Sequence, residues 1–423
     1  MARQIKDSGV EWIGEIPEKW KLRKMKHCTD IIMGQSPDSN DILNTGKTLF
    51  MQGNREFGKQ YPHPSLYCDN CKKHSRIGDI LLSVRAPVGA INESDKIYGI
   101  GRGLCSIKAD AIENNFLKYY LIKSIDDLKY YSNGSTFEAI TIDILQNFYI
   151  LLPDRIEQQK IVDFLDEKVG GIDSVIAKTK ETIEDYRKYK QAIITVAVTK
   201  GLNPDAEMKK SKLQWVDSIP KHWKENKILH IVSMPVIDGP HVSPELVDNG
   251  VPYISADAIE NGKINFDRKR GYITKEYSEE CNKRYKPQKD DILVVKLGAS
   301  TGKMAIVGNE TNFNIWVPLA VVRCKVDILP QYVFYSMESS YFKNEIRNGW
   351  TFGTQETLGV KTLEQLKVFL PSLEEQKEIT EYLDEKCSEI DKLIAKKEEL
   401  LADLESYKKS LIYEYVTGKK EVE

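Results

Sequence analysis

The chain has 423 residues, 29% of them charged, with 61 Lys and Arg against 63 Asp and Glu and a formal net charge of −2. That length allows about two to four domains with ample core, and the near balance of charge excludes a polycation that grips nucleic acid by bulk charge, so any such surface must be local. The opening MARQIKDSG has no apolar signal core, the longest aliphatic run (192–198) is too short to span a bilayer, and seven scattered cysteines suit a reducing compartment, so a cytoplasmic protein without a membrane segment is expected.

In chain order, the first landmark is Glu11-Trp12-Ile13-Gly14-Glu15-Ile16-Pro17-Glu18-Lys19-Trp20, matched later by Gln214-Trp215-Val216-Asp217-Ser218-Ile219-Pro220-Lys221-His222-Trp223. Two tryptophans framing an Ile-Pro read as an anchoring segment buried on its neighbours. After each anchor comes a stretch of short apolar runs broken by Gly, Asn, Asp and Pro. Asp79-Ile80-Leu81-Leu82-Ser83-Val84 and Asp291-Ile292-Leu293-Val294-Val295-Lys296 are strand-like, and each leads into a Gly-containing turn. Brief helical pieces at 115–124 and 331–340 complete two mixed α/β domains. Each closes on a turn and a return, Gly134-Ser135-Thr136 before Ile150-Leu151-Leu152-Pro153, and Gly353-Thr354-Gln355 before Val368-Phe369-Leu370-Pro371.

A long helical run then follows each domain. Residues 152–199 and 370–417 align at a constant shift of 218 with 21 of 48 positions identical. Both copies read Leu-Pro, Glu-Gln, Ile, Leu-Asp-Glu-Lys, Ile-Asp, Ile-Ala-Lys and Val-Thr. Apolar residues recur every seven at Leu165, Ile172, Tyr186 and Ile193, and at Leu383, Ile390, Leu404 and Leu411, with Thr179 and Lys397 the weak members. Companions are expected at Ile161, Val175, Ile183 and Tyr189, and at Ile379, Leu393, Leu400 and Tyr407, a seam of the kind paired helices interlock. Forty-five residues make a rod of roughly 65 Å, which packs either on its twin or on its own globular neighbour. Gly170-Gly171 in the first run each cost roughly 1 kcal/mol in a helix, so a bend is expected there. The plan is thus 1–153 first domain, 154–200 first helix, 201–212 polar linker, 213–371 second domain, 372–417 second helix and 418–423 tail.

Charge sorts by region. Residues 268–289 carry eight Lys or Arg against three Glu, and 47–85 seven against three acids, while 374–405 hold twelve acids against five lysines. Two basic domains and an acidic helix suit separated sites on one duplex.

Signals for catalysis are weak. Gly298-Ala299-Ser300-Thr301-Gly302-Lys303-Met304 is one residue short of a phosphate-binding loop and ends on Met, where a Mg²⁺-binding hydroxyl is needed. Gly99-Ile100-Gly101-Arg102-Gly103 lacks the spacing of a dinucleotide fingerprint, although Arg102 between glycines suits a loop facing phosphates. Cys68-Asp69-Asn70-Cys71 with His74 is the only metal-like spacing, and no second ligand pair follows. There is no Gly-x-Ser-x-Gly serine and no Asn-Pro-Pro-aromatic motif. No catalytic and no metal-binding residue is assigned.

The doubled plan resembles the specificity subunits of type I restriction–modification enzymes over almost the full length. The Leu-Pro…Glu-Gln…Ile…Leu-Asp…Ile-Asp helix openings at 152–173 and 370–391 carry the resemblance, supported by the Gly-Ser-Thr and Gly-Thr-Gln turns and the Trp…Ile-Pro…Trp segments. It implies a mixed α/β (α+β) fold with a pseudo-twofold internal repeat: two target recognition domains separated by two long antiparallel helices forming a coiled coil. Each domain would read one half of a split, asymmetric site on double-stranded DNA. One copy of the chain would hold two methyltransferase subunits, and through them restriction subunits. It would itself be non-catalytic, with S-adenosylmethionine, ATP and Mg²⁺ on those partners.

Base reading requires Arg or Lys on guanine, Asn or Gln on adenine, and Ser or Thr on either. By residue type and position in turns near strands, the candidates are Gln35, Ser36, Gln52, Asn54, Arg55, Arg85 and Arg102 in the first domain. In the second they are His241, Ser255, Lys296, Ser300, Thr301, Lys303 and Gln355. Two rival readings are a coiled-coil adaptor that binds only proteins, and an autonomous nuclease or methyltransferase.

Overall fold

The computed structural model describes residues 3–11, 13–132, 139–349, 351–352 and 356–422. Trp12, Gly134-Ser135-Thr136 and Gly353-Thr354-Gln355, singled out above, lie outside the described residues in whole. The chain divides into two compact units, Met1–Lys180 with Glu399–Glu423, and Glu181–Glu398.

In the first unit, four antiparallel strands lie in the order Thr29–Met33, Leu104–Ala109, Ile80–Ser83, Ile91–Glu93. Beside them Leu49–Met51 pairs antiparallel with Leu66–Tyr67 and parallel with Gly99–Ile100. The second unit repeats both sheets strand for strand: Ile237–Asp238, Leu319–Val322, Ile292–Val295, Met304–Ile306, then Val251–Ile254 between Gly271–Ile273 and, in parallel, Asn314–Ile315. The strand-like runs of the sequence are the buried centre strands of these sheets. Two loop sets with little common sequence therefore hang from one topology.

The anchors and returns also find their partners. Lys21–Lys24 pairs with Tyr149–Leu152, and Lys224–Lys227 with Lys367–Leu370. Trp20 and Trp223 are fully buried, each closing a turn by donating its backbone N–H to Pro17 or Pro220. Trp215, the first tryptophan of the second anchor, is instead exposed. Part of the expected linker, Met208–Lys210, is a strand paired with Ser218–Pro220, mirroring Ile5–Asp7 on Glu15–Pro17.

Two long helices, Arg155–Lys200 and Leu373–Val416, give each unit the opening of one and the close of the other. Numbers rise on one helix as they fall on the other, so the pairing within each unit is antiparallel. Asp173 meets Lys408 and Lys180 meets Glu405 in the first unit; Arg187 meets Glu398 and Lys190 meets Asp391 in the second. In the first core Val162, Leu165 and Val169 join Leu411, Ile412 and Val416; in the second Ile379, Leu383 and Cys387 join Ile194, Ala197 and Val198. The helix is unbroken through Gly170-Gly171, and neither would bring an added Cβ within 4 Å of another group.

The repeated opening residues fasten each sheet domain to its helix. The Trp20 indole donates to Glu157 at 2.8 Å and the Trp223 indole to Glu375 at 3.0 Å. Gln158, buried, donates to the Pro153 carbonyl and accepts from the Glu113 N–H; Gln376 does the same with Pro371 and Leu329. The Tyr119 hydroxyl donates to Asp166 and that of Tyr335 to Asp384.

Of the seam residues, Ile161, Leu165, Ile183, Ile379, Leu383, Ile390 and Leu411 are buried, and Ile172, Tyr186, Ile193 and Leu404 half-buried. The companion row departs from expectation. Val175, Leu393 and Leu400 are exposed, at 46%, 43% and 37%, and so are Tyr189 and Tyr407. The covered positions lie one residue further on, at Ile176, Lys190, Ile394, Leu401 and Lys408. With them the covered residues alternate spacings of three and four (Val169, Ile172, Ile176, Thr179, Ile183, Tyr186), which holds a stripe on one side of a helix. Among the described residues no helix is long and apolar enough to cross a membrane.

Candidate nucleic-acid interface

In the first unit, strand ends meet at one corner. Gly34 donates to the Leu104 carbonyl, Gln35 to Ile100, Gly101 to Met51, Gly103 to Gln52 and Val84 to Gly103. This stitching requires backbones to approach closely. A Cβ on Gly34 would sit 2.1 Å from the Gly101 oxygen, and one on Gly101 2.4 Å from Gln52 Oε1. The Gly-Ile-Gly-Arg-Gly run is therefore a packing device, and it leaves Arg102 exposed at the corner.

Six of the seven first-domain candidates lie on the four stitched segments, and Arg55 follows directly on one of them. Gln52 donates to the Ser36 hydroxyl at 2.7 Å, and Asn54 reaches the Pro87 carbonyl at 3.5 Å. Gln35, Gln52, Arg55, Arg85 and Arg102 are exposed, with Ser36 and Asn54 half-buried. Arg55, Arg85 and Arg102 enter no salt bridge with any described residue, which leaves three guanidinium groups for an outside acceptor.

The second unit builds the same corner from different residues. Gly239 donates to Leu319, Trp316 to Ile254 and Lys296 to Pro318, and a Cβ on Gly239 would meet the Trp316 backbone at 2.4 Å. The strand pairings set Trp316 where the first unit has Gly101. Here a buried carboxylate gathers the cations. Asp238 lies 3.0 Å from Lys296, 2.8 Å from Arg284 and 3.2 Å from His241. Burial alone would lift the Asp238 carboxyl, but the Lys296 hydrogen bond and the charges of Lys296, His241 and Arg284 outweigh it and hold it below the usual range.

Several second-domain candidates consequently change character. Lys296 is only 7% exposed and is committed to Asp238, so it does not reach outward. Ser255 is also buried, before the short turn Ala256–Ala258. Ser300, Thr301 and Lys303 lie on the hairpin turn joining Ile292–Val295 to Met304–Ile306, whose Gly298 and Gly302 have positive φ. This near-match to a phosphate loop does not lead into a helix. Thr301 Oγ1 donates back to Gly298, while Lys303 and His241 are exposed. Gln355 lies outside the described residues.

Sequence reasoning passed over Arg270. Its guanidinium lies 3.5 Å from the centre of the Trp316 ring, and its backbone N–H donates to Tyr253 at 2.9 Å. Beside it Lys269 lies over Tyr272. The only local signal in the sequence was the basic run Arg268-Lys269-Arg270 ahead of Tyr272.

Cys68 and Cys71 are buried with Phe50. Desolvation foremost, with the neighbouring Cys68, pushes the Cys71 thiol up to about 12. Among the described residues no group of three or more His, Cys, Asp or Glu could hold a metal ion.

Two segments, residues 17–185 and 222–403, match the family model for the type I restriction modification DNA specificity domain. A protein named provisionally as the type I restriction enzyme MjaX specificity subunit, from Methanocaldococcus jannaschii, is 38% identical over 192 residues, 44% of this chain and 44% of that relative, less than half its length. The Escherichia coli EcoBI specificity subunit is 24% identical over 75% of this chain and 69% of its own. A solved chain from work on complex assembly and conformational transition of the type I R-M system superposes with a TM-score of 0.66 at 18% identity, covering 95% of this chain and 98% of that one; this likeness speaks to the fold.

Proposed function

The chain belongs to the family of type I restriction–modification DNA specificity proteins, and from that premise we propose that it is the DNA sequence-recognition subunit of such a complex, each unit reading one half of a split target. The observation that carries this is the doubled corner: one strand framework holds Gly101-Arg102-Gly103 in one unit and Trp316-Val317-Pro318 in the other. Readers built on one frame with different side chains imply two unlike half-sites, in contrast to the palindrome of a symmetric dimer. Exposed Arg55, Arg85 and Arg102 in the first unit, and Lys303 in the second, supply phosphate or base contacts, the former sequence-blind and salt-dependent.

The two long helices pair as a coiled coil and act as the spacer, a reading supported by their three-four stripe. One copy of the chain holds two methyltransferase subunits, and through them restriction subunits. Adenine methylation with S-adenosylmethionine, and ATP- and Mg²⁺-driven translocation and cleavage, belong to those cytoplasmic partners, while this chain contributes recognition.

Co-expression with its methyltransferase partner, followed by genome-wide mapping of modified adenines, tests the reading. Expected is one bipartite motif with two different halves. Methylation that ignores sequence, or that persists when this chain is omitted, would sink it.

A further inference from the structure

We propose that Arg270, laid flat on Trp316, is the guanidinium with which the second unit reads a guanine edge. The assignment rests on the DNA-reading function proposed above.

In the first unit the framework corner presents Arg102, flanked by the two glycines that let the backbones meet. The second unit has Val317 at that register, so the corner itself offers no cation there. Of the other basic groups near that corner, Lys296, Arg284 and His241 all face Asp238, and Lys303, exposed on its hairpin turn, carries a point charge without the planar fork. Arg270 is exposed and enters no salt bridge with any described residue.

Its geometry suits recognition of a planar acceptor pair. The ring beneath is half-buried and packed against Val251, Tyr253 and Ile273, so it is a fixed platform. A guanidinium at 3.5 Å over that face keeps its in-plane N–H fork free at the edge. The fork fits the two acceptors, N7 and O6, that guanine presents in the major groove. The backbone bond from Arg270 to Tyr253 fixes the base of the side chain, so little freedom is lost on binding.

The test uses the full chain with its co-expressed methyltransferase partner and a pool of synthetic duplexes with a randomised central segment. The wild type is expected to enrich a two-part sequence. Arg270→Ala should flatten one guanine position in one half, losing roughly 10- to 100-fold discrimination there, and leave the other half untouched. Arg270→Lys keeps the charge but not the fork and should not restore that position. Trp316→Leu, which removes the platform, should relax the same position, whereas Arg102→Ala should alter only the opposite half.

An Arg270→Ala chain of unchanged melting temperature that binds more weakly to the same enriched sequence, or that Arg270→Lys rescues, would make Arg270 a phosphate contact and overturn the assignment. So would an enriched sequence and affinity identical to wild type. A wild-type complex that enriches nothing would remove the DNA-reading premise and the assignment with it.

Discussion

Lys190 Nζ lies 2.7 Å from both carboxylate oxygens of Asp391, and the same pair recurs 218 residues away as Lys408 and Asp173, at 2.6 Å. The chain thus makes one interhelical ion pair twice, with the roles of the two helices exchanged. The next pairs are not exchanged. Lys180 meets Glu405 and Arg187 meets Glu398, so the first helix supplies the cation and the second the acid in both. Either helix paired with a copy of itself would set like charges against each other there.

These ion pairs range from half-buried to exposed, so each contributes little. In a double-mutant cycle of Lys190→Ala and Asp391→Ala, a coupling of about 0.2–1 kcal/mol is expected, read by urea denaturation. The coupling should fade at high salt. A value that salt does not change would mean that packing, not charge, joins the two side chains.

Gly170 and Gly171 lie in an unbroken helix with open space where a side chain would be. Gly170→Ala and Gly171→Ala should each stabilise the chain by about 0.5–1 kcal/mol, by restricting the unfolded state and by helix propensity. A rise in melting temperature checks this. A fall would show that the helix needs glycine there for a reason other than space.

The doubled helix openings were legible in the sequence because several of the repeated residues make the same contact in both copies. Glu157 and Glu375 take the indoles, Gln158 and Gln376 bridge to the sheet domain, and Asp166 and Asp384 take the tyrosines. The seam was legible only to within a residue. Val175-Ile176, Leu393-Ile394 and Leu400-Leu401 each offer two adjacent apolar side chains, and the true stripe runs through Lys190 and Lys408, which a search for apolar residues discards. The reading corners were the least legible. Lys296 is withdrawn by Asp238, and Arg270 is placed by Trp316, and both partners are remote in sequence; no local pattern encodes either contact.

Gln158 is buried, with its amide spent on the Pro153 carbonyl and its oxygen on the Glu113 N–H. Gln158→Leu keeps the bulk but orphans both backbone groups, so it should cost about 1–3 kcal/mol. Gln376→Leu should cost a similar amount through Pro371 and Leu329. Calorimetry of the two variants separates a shared framework role from an incidental contact: losses close to zero would remove the glutamines from the account of why the motif is repeated.

Asp238 gives the second unit an acid-sensitive element. Its carboxyl and the Lys296 ammonium are both about nine-tenths buried, whereas Arg284 and His241 are more than half exposed and add less. Because the folded carboxyl titrates below its unfolded value, its contribution is complete above the unfolded value, near 4. The contribution is lost as pH falls through the lower, folded value. Asp238→Asn leaves Lys296 buried without its counter-charge, so it should destabilise the chain by about 1–3 kcal/mol at neutral pH. Wild type and variant should then converge in acid, where protonation strips the native residue of the same charge. Denaturant melts from pH 7 downward measure the gap. If it stayed constant into acid, the carboxylate charge would not be what holds Lys296, and a shape change at residue 238 would account for the loss instead.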